Sequence, residues 1–269
     1  VSDSKTVNVR VTSNDLVGEL TGTEKLTITK KAVTLTSATA SKTYDGTALT
    51  NETVKAEGFV KDEGVTTHVN GSQTNAGSSK NTFAKPAYEA KAGTDLNNYD
   101  ITTKEGTLTV NPVEKEVKVK ITGHQNAVTY DGTEHTVTGY DVTEISNTLY
   151  TVNDFTFSGK AEAKGTDAGS YKMGLTKDQF KNKNANFTNV TFEVVDGSLT
   201  INPRNVTLTS ATDSKVYDKK PLTNDTITVG GDKFVEGEGA TYDVTGSQTE
   251  VGTSDNTFDY TLNKGTKAG

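Results

Sequence analysis

Three Tyr-Asp pairs are the residues whose type and spacing most invite a chemical reading. They stand as Tyr44-Asp45-Gly46 in SKTYDGTALT, Tyr130-Asp131-Gly132 in AVTYDGTEHT, and Tyr217-Asp218 in SKVYDKKPLT. An Asp beside a Tyr could serve catalysis or form a repeated ligand patch. A catalytic Asp is seldom needed in triplicate, whereas a structural turn usually is. In the structural reading each ring lies on a core edge, in the opening hairpin of a repeat. Each Asp then accepts backbone N–H bonds in an Asx-type turn. We adopt that reading, because every repeat needs the same fold whatever it binds.

Other chemistry-bearing residues point the same way. His68, His124 and His135 have no second His or Cys at ligand spacing, although His124 and His135 could meet across a hairpin. Carboxylates cluster at Asp62-Glu63, at Asp95 with Asp100, and at Glu236 with Glu238. No D-x-[DN]-x-[DN]-G loop accompanies them. Solvated charge is the expectation, and a calcium ion at a repeat junction is the alternative; no other cofactor is implied. There is no G-x-S-x-G, no P-loop and no cysteine nucleophile. Paired carboxylates for glycoside hydrolysis need a deep cleft with stacking aromatics, which a Trp-free chain with thin cores does not supply. We expect no enzyme activity and no catalytic or metal-binding residues. A Lys–Asn isopeptide bond would need a facing pair such as Lys118 or Lys120 with Asn202.

The elements that carry these residues repeat. VTLTSAT stands at 33–39 and again at 206–212, with VKVKITG at 117–123 between them. GSQTNAGSSKNTF at 71–83 returns as GSQTEVGTSDNTF at 246–258, while the middle copy has the looser GTDAGSYKMGL at 165–175. NNYDITTKEGTLTVNP at 97–112 closes one unit and ANFTNVTFEVVDGSLTINP at 185–203 closes the next. The spacing predicts repeat A at 33–112, repeat B at 113–203 and repeat A′ at 204–269 without closing strands. Residues 1–32 read as the closing strands of a preceding repeat, with Leu26 and Ile28 in the places of Leu108 and Val110. The sequence thus reads as a piece of a longer array.

Within each unit the signals are strand and turn. VTLTS and GTLTV alternate apolar residues with Thr, a β-branched residue suited to a pleated surface with one wet face. Asp-Gly at 45–46 and 131–132 and Asn-Gly at 70–71 predict turns. Lys219 replaces the Gly of the third Tyr-Asp turn, which argues against a strict need for positive φ there. TKDQFKNKNANF at 176–187 is the best candidate for a short helical turn. Pro112 and Pro203 should end the closing strands. Asp167-Ala-Gly-Ser-Tyr171 has the shape of a tyrosine corner, although Ser79 and Ser254 take the Tyr position elsewhere. The expected fold is all-β: tandem Ig-like β-sandwich repeats in an elongated array.

KTYDGTALT, GSQTNAGSSKNTF and NNYDITTKEGTLTVNP, in that order, resemble the YDG/MBG-type repeats of large bacterial, Gram-positive-like cell-surface proteins. The likeness covers nearly all of residues 33–269, and the closing-strand motif extends it toward residue 1. It implies secreted, adhesin-like proteins anchored to the cell wall through a part of the parent outside this sequence. It carries no catalytic residues.

Charge narrows the partners. The net charge is −7 and there is no basic stripe to neutralise phosphates, so no nucleic-acid partner is expected. No apolar run reaches the roughly 20 residues of a membrane span. With no cysteine, disulfides are excluded. A stalk that presents a distal adhesion domain is the leading expectation. Direct binding of host glycan or extracellular protein by loops or strand edges is the alternative. The open edge of A′ predicts either a frayed third unit or head-to-tail strand complementation between copies.

Overall fold

The computed structural model describes residues 5–11 and 20–268, with side chains from residue 25 onward. Of the expected 1–32 segment, residues 1–4 and 12–19 lie outside the described residues. The chain forms two compact units. One comprises Val1–Glu116 with Asn184–Val190, the other Val117–Lys183 with Thr191–Gly269.

In the first unit, β1 (Lys5–Val11) pairs antiparallel with β2 (Leu20–Leu26). Eight further strands come next: β3 (Lys31–Ser37), β4 (Ala40–Thr43), β5 (Val54–Glu57), β6 (Val65–Val69), β7 (Gly77–Asn81), β8 (Phe83–Ala90), β9 (Tyr99–Lys104) and β10 (Gly106–Asn111). They assemble as β5-β3-β9, β4-β10-β7 and β6-β8. The closing strand β10 is central: it runs parallel to β4 and antiparallel to β7. Period-two patterning decides which residues face inward. Val33 and Leu35 of β3, with Leu108 and Val110 of β10, are all buried, while the intervening threonines stay at least partly exposed. β10 stops at Asn111, directly before Pro112.

The second unit opens with β11 (Val117–Gly123), β12 (Gln125–Thr129), β13 (His135–Thr138), β14 (Tyr140–Ile145), β15 (Phe155–Phe157), β16 (Glu162–Gly165), β17 (Gly169–Lys172), β18 (Phe180–Asn182), β19 (Val190–Val195) and β20 (Ser198–Asn202). Its sheets β14-β11-β19 and β12-β20-β17 reproduce the layout of the first unit, with β20 again parallel to one neighbour and antiparallel to the other. Ala163, Met173, Leu175, Leu199 and Ile201 form its core. β20 ends at Asn202, before Pro203. A short 3₁₀ turn, Lys177–Gln179, falls inside the segment expected to be helical. Two more, Leu96–Asn98 and Val152–Asp154, had no periodic signal.

Then come β21 (Val206–Ser210), β22 (Ile227–Gly231), β23 (Ala240–Val244) and β24 (Phe258–Leu262), paired as β21-β22 and β23-β24. They correspond to β3, β5, β6 and β8. The counterparts of β4 and β7, residues 213–216 and 252–256, are not strands. The physical reason is local: β4 and β7 exist by pairing with β10, and no described residue takes its place in A′. Val206 and Leu208 are accordingly only half-buried, where Val33 and Leu35 are fully buried.

The protein is therefore all-β among the described residues, and its strand layout is consistent with Ig-like sandwiches in tandem.

Candidate interaction site at the repeat ends

The Tyr-Asp element does not sit in a hairpin. It comes after β4 or β12, whose partner is the closing strand. The Tyr44 N–H donates to Asn111 O and the Tyr130 N–H to Asn202 O, each at 2.8 Å. The motif thus lies at the end of its repeat, beside the Asn-Pro that leads onward.

Each Asp is the acceptor of an Asx-type turn. Asp45 Oδ1 accepts from Thr47 N (2.9 Å) and Thr47 Oγ1 (2.8 Å), and Asp131 Oδ1 from Thr133 N (2.9 Å) and Oγ1 (2.7 Å). Asp218 Oδ1 accepts from Lys220 N at 3.0 Å. A basic side chain joins each: Lys42 Nζ at 2.7 Å, His135 Nε2 at 2.9 Å and Lys215 Nζ at 2.9 Å. The Lys42 bond, with those from Thr47, holds Asp45 well below the usual carboxylate range. Bonds from Thr133, then His135, lower Asp131 to about 2. Lys215, then the Lys220 N–H, lowers Asp218. All three turns are exposed, so these pairs set geometry more than stability.

Positive φ succeeds the Asp in every copy: Gly46 at 81°, Gly132 at 79° and Lys219 at 65°. The expectation that Lys219 releases the turn from positive φ is therefore corrected. The turn keeps its conformation, and Lys tolerates a region that costs an L-residue about 1 kcal/mol. Lys219→Gly should stabilise repeat A′ by about 0.5–1 kcal/mol, read as a higher urea midpoint. Asn70-Gly71 is the opposite case. Gly71 is not among the positive-φ residues, and it is glycine because an added Cβ would lie 2.5 Å from Asn81 Oδ1.

The rings face the segment that comes after their repeat. Tyr44 packs edge-on against Phe187, centroids 5.7 Å apart. Around that contact Asn186 Oδ1 accepts from Ala76 N (2.6 Å), and Val113 N donates to Asn186 O (2.8 Å). Residues 184–190, which belong to repeat B by sequence, are thus built into the first unit. In the second unit Tyr130 lies against the Met173–Leu199 cluster and donates its hydroxyl to Glu238. Lys267 pairs with Asp167, and Arg204 Nη1 donates to Tyr130 O at 3.2 Å. Asp167-Ala168 holds the place of Asn75-Ala76, so one pair of turns receives the next segment in both units. Tyr217, which meets no such segment among the described residues, is 48% exposed.

Glu238 shows how the repeats trade partners. Its counterpart Glu63 accepts from Tyr99, a β9 residue of its own repeat. Among the described residues A′ has no counterpart of β9, and Tyr130 takes that role. The Glu238 hydrogen bond, then burial, pushes Tyr130 up to about 12 from the ordinary 10. A pKa raised in the folded state stabilises below the unfolded value and is lost on passing the folded one. The stability the Tyr130–Glu238 bond contributes should be complete below pH 10 and fade between pH 10 and 12, while the hydroxyl itself ionises at about 12 in the folded protein. Tyrosinate absorbance at 295 nm in wild type minus Tyr130→Phe checks this; a midpoint at 10 would refute it.

The remaining candidates are engaged individually. His124 meets Thr138 O (2.7 Å) and Asp141 (3.4 Å), whose carboxylate, with Thr138, raises its pKa. His135 turns to Asp131 instead, so His124 and His135 are not a pair, and His68 lies on β6. Asp95 caps the first 3₁₀ turn through Asn97 N. Among the described residues no three His, Cys, Asp or Glu converge as metal ligands. Lys118, Lys120 and Asn202 are exposed, outward-facing residues of β11 and β20, which removes the facing core pair an isopeptide bond requires. Tyr171 Oη donates to Asp167 O at 2.9 Å, a tyrosine corner, and Gly165 is small because that ring lies on it. Where Ser replaces Tyr, Ser79 and Ser254 reach Ser72 O and Ser247 O at 3.1 and 3.2 Å.

These features define a β-repeat module whose repeated Tyr-Asp motif sits at the end of each repeat. Residues 116–203, the middle repeat, match the model of the MBG domain family. That family marks the repeat regions of surface proteins. Neither the curated proteins nor the solved structures give a significant match.

Proposed function

We propose that this region is a stalk of a secreted, cell-wall-anchored bacterial surface protein, spacing a distal adhesion domain from the cell. One observation carries the reading: the Tyr of the Tyr-Asp element is spent on the segment that comes after its repeat, as Tyr44 on Phe187 and Tyr130 on Glu238. A residue committed to a joint in successive repeats serves connection, not capture of a ligand. Short Pro-marked links between small sandwiches suit such a spacer. The threonine-rich outer faces keep it solvated.

Tyr44→Ala should loosen this joint. Amide exchange at Val113 and Thr188 is expected to speed by about tenfold, a loss of roughly 1.4 kcal/mol, with β3 unchanged. The functional test is a glycan array and a pull-down on matrix proteins with the whole chain. A stalk gives no saturable binding; a single repeat that binds glycan tightly would sink the reading.

A further inference from the structure

The opening and closing strands of repeat A form one continuous parallel ribbon. β3 runs beside β9, with Lys31 opposite Tyr99 and Thr36 opposite Lys104. β4 then runs beside β10, with Ala40 opposite Leu108 and Thr43 opposite Asn111. The offset between partners is the same in both pairs, so the register survives although both strands change sheet between them. Side chains bridge that change: the Gly106 N–H donates to Ser37 Oγ (2.9 Å) and the Thr107 N–H to Thr39 Oγ1 (3.2 Å). The Tyr44 N–H, donating to Asn111 O at 2.8 Å, is the last rung. Val33, Leu35, Leu108 and Val110, all buried, keep the inner face of the ribbon dry. Repeat B is built alike. β12 runs parallel to β20, β11 neighbours β19, and the Tyr130 N–H closes on Asn202 O at 2.8 Å.

Chain direction gives this ribbon a mechanical meaning. The chain enters repeat A at Lys31 and leaves it at Asn111, and these stand at opposite ends of the ribbon. Tension along the chain therefore slides the opening strands lengthwise against the closing strands. Every rung is loaded at once, over roughly 40 Å at about 3.3 Å per residue. In an antiparallel hairpin both chain ends leave at the same edge, and the rungs fail one by one.

We infer that repeats A and B are load-bearing elements, which resist tension along the chain through shear of their parallel opening and closing strands. The Tyr-Asp motif marks the loaded end. Its Tyr N–H is the final rung, and its Asx turn fixes the chain that follows. This resistance comes from strand direction alone, so it stands whether or not the chain is a stalk.

Optical tweezers on the whole chain, at one loading rate, test this. The sequence has no cysteine, so handles attach only where one is introduced. Lys30→Cys with Lys115→Cys, both at exposed positions, pulls repeat A along the chain. Lys30→Cys with Asp100→Cys, also exposed, pulls across the first rung and peels β3 from β9. The first pair should need at least about twice the force of the second, and should release about 25 nm of chain. Tyr44→Pro removes the last rung. Under the first pair it should yield at a lower force than Tyr44→Ala, which keeps the N–H. Equal forces for the two handle pairs, or equal forces for Tyr44→Pro and Tyr44→Ala, overturn the proposal. Glycan binding, which would sink the stalk, leaves these forces unchanged.

Discussion

Asn81→Ala is expected to destabilise repeat A by about 3 kcal/mol. Asn81 is fully buried, and its Nδ2 donates to Ala38 O (3.0 Å) and Asn51 O (2.8 Å). Alanine leaves two carbonyls without that donor, at about 1–3 kcal/mol each, and a void where the amide was. Asn81 Oδ1 itself has no partner, which offsets part of the loss. Asn256 repeats the arrangement with Ala211 O and Asn224 O at 3.0 and 2.9 Å. It is less deeply buried, so Asn256→Ala should cost about half as much, with water replacing the lost donor. Site-resolved amide exchange separates the two repeats; equal effects would show that burial does not set the cost.

Gly106→Ala should cost a similar amount by the opposite mechanism. Gly106 opens β10, and its N–H donates to Ser37 Oγ at 2.9 Å, while Ser37 Oγ donates to Asn81 O at 2.6 Å. An added Cβ would lie 2.4 Å from both Ser37 O and Ala38 O, neither of which can rotate away. The closing strand must then move off β4. Overpacking of this kind costs about 1–3 kcal/mol, with the loss of the Ser37 bridge in addition. Gly197, directly before β20, is its counterpart, and a Cβ there would lie 2.4 Å from Met173 Sδ and 2.6 Å from His124 O. Met173 is flexible, so Gly197→Ala should be the milder variant. Urea unfolding monitored by repeat-specific NMR signals gives both values. A Gly106→Ala protein as stable as wild type would refute the close-approach account.

Much of the architecture was legible because it is local. Period-two alternation in VTLTS and GTLTV places Leu35 and Leu108 inside whatever their partners are. The return of GSQT…NTF marks equivalent parts without saying what they do. Its meaning lies in contacts between residues well apart in the chain: Gly71 is small because Asn81 lies against it, and Asn81 is retained because it holds two carbonyls of other loops. The Asx turns of Asp45, Asp131 and Asp218 are local in the stricter sense, since acceptor and donor lie two residues apart.

The Tyr rings were not legible in this way. Nothing in SKTYDGTALT says that Tyr44 meets Phe187, because the two are brought together by the parallel pairing of β4 with β10 and the chain that leaves it. The same holds for Glu238, which bonds Tyr130 where its counterpart Glu63 bonds a Tyr of its own repeat. The amino-acid order alone determined strands, turns, repeat length and the absence of catalytic motifs, because these arise from side-chain periodicity and neighbouring backbone geometry. Only the tertiary structure decided that Tyr-Asp is a joint, because that depends on which distant segment comes to lie beside the ring.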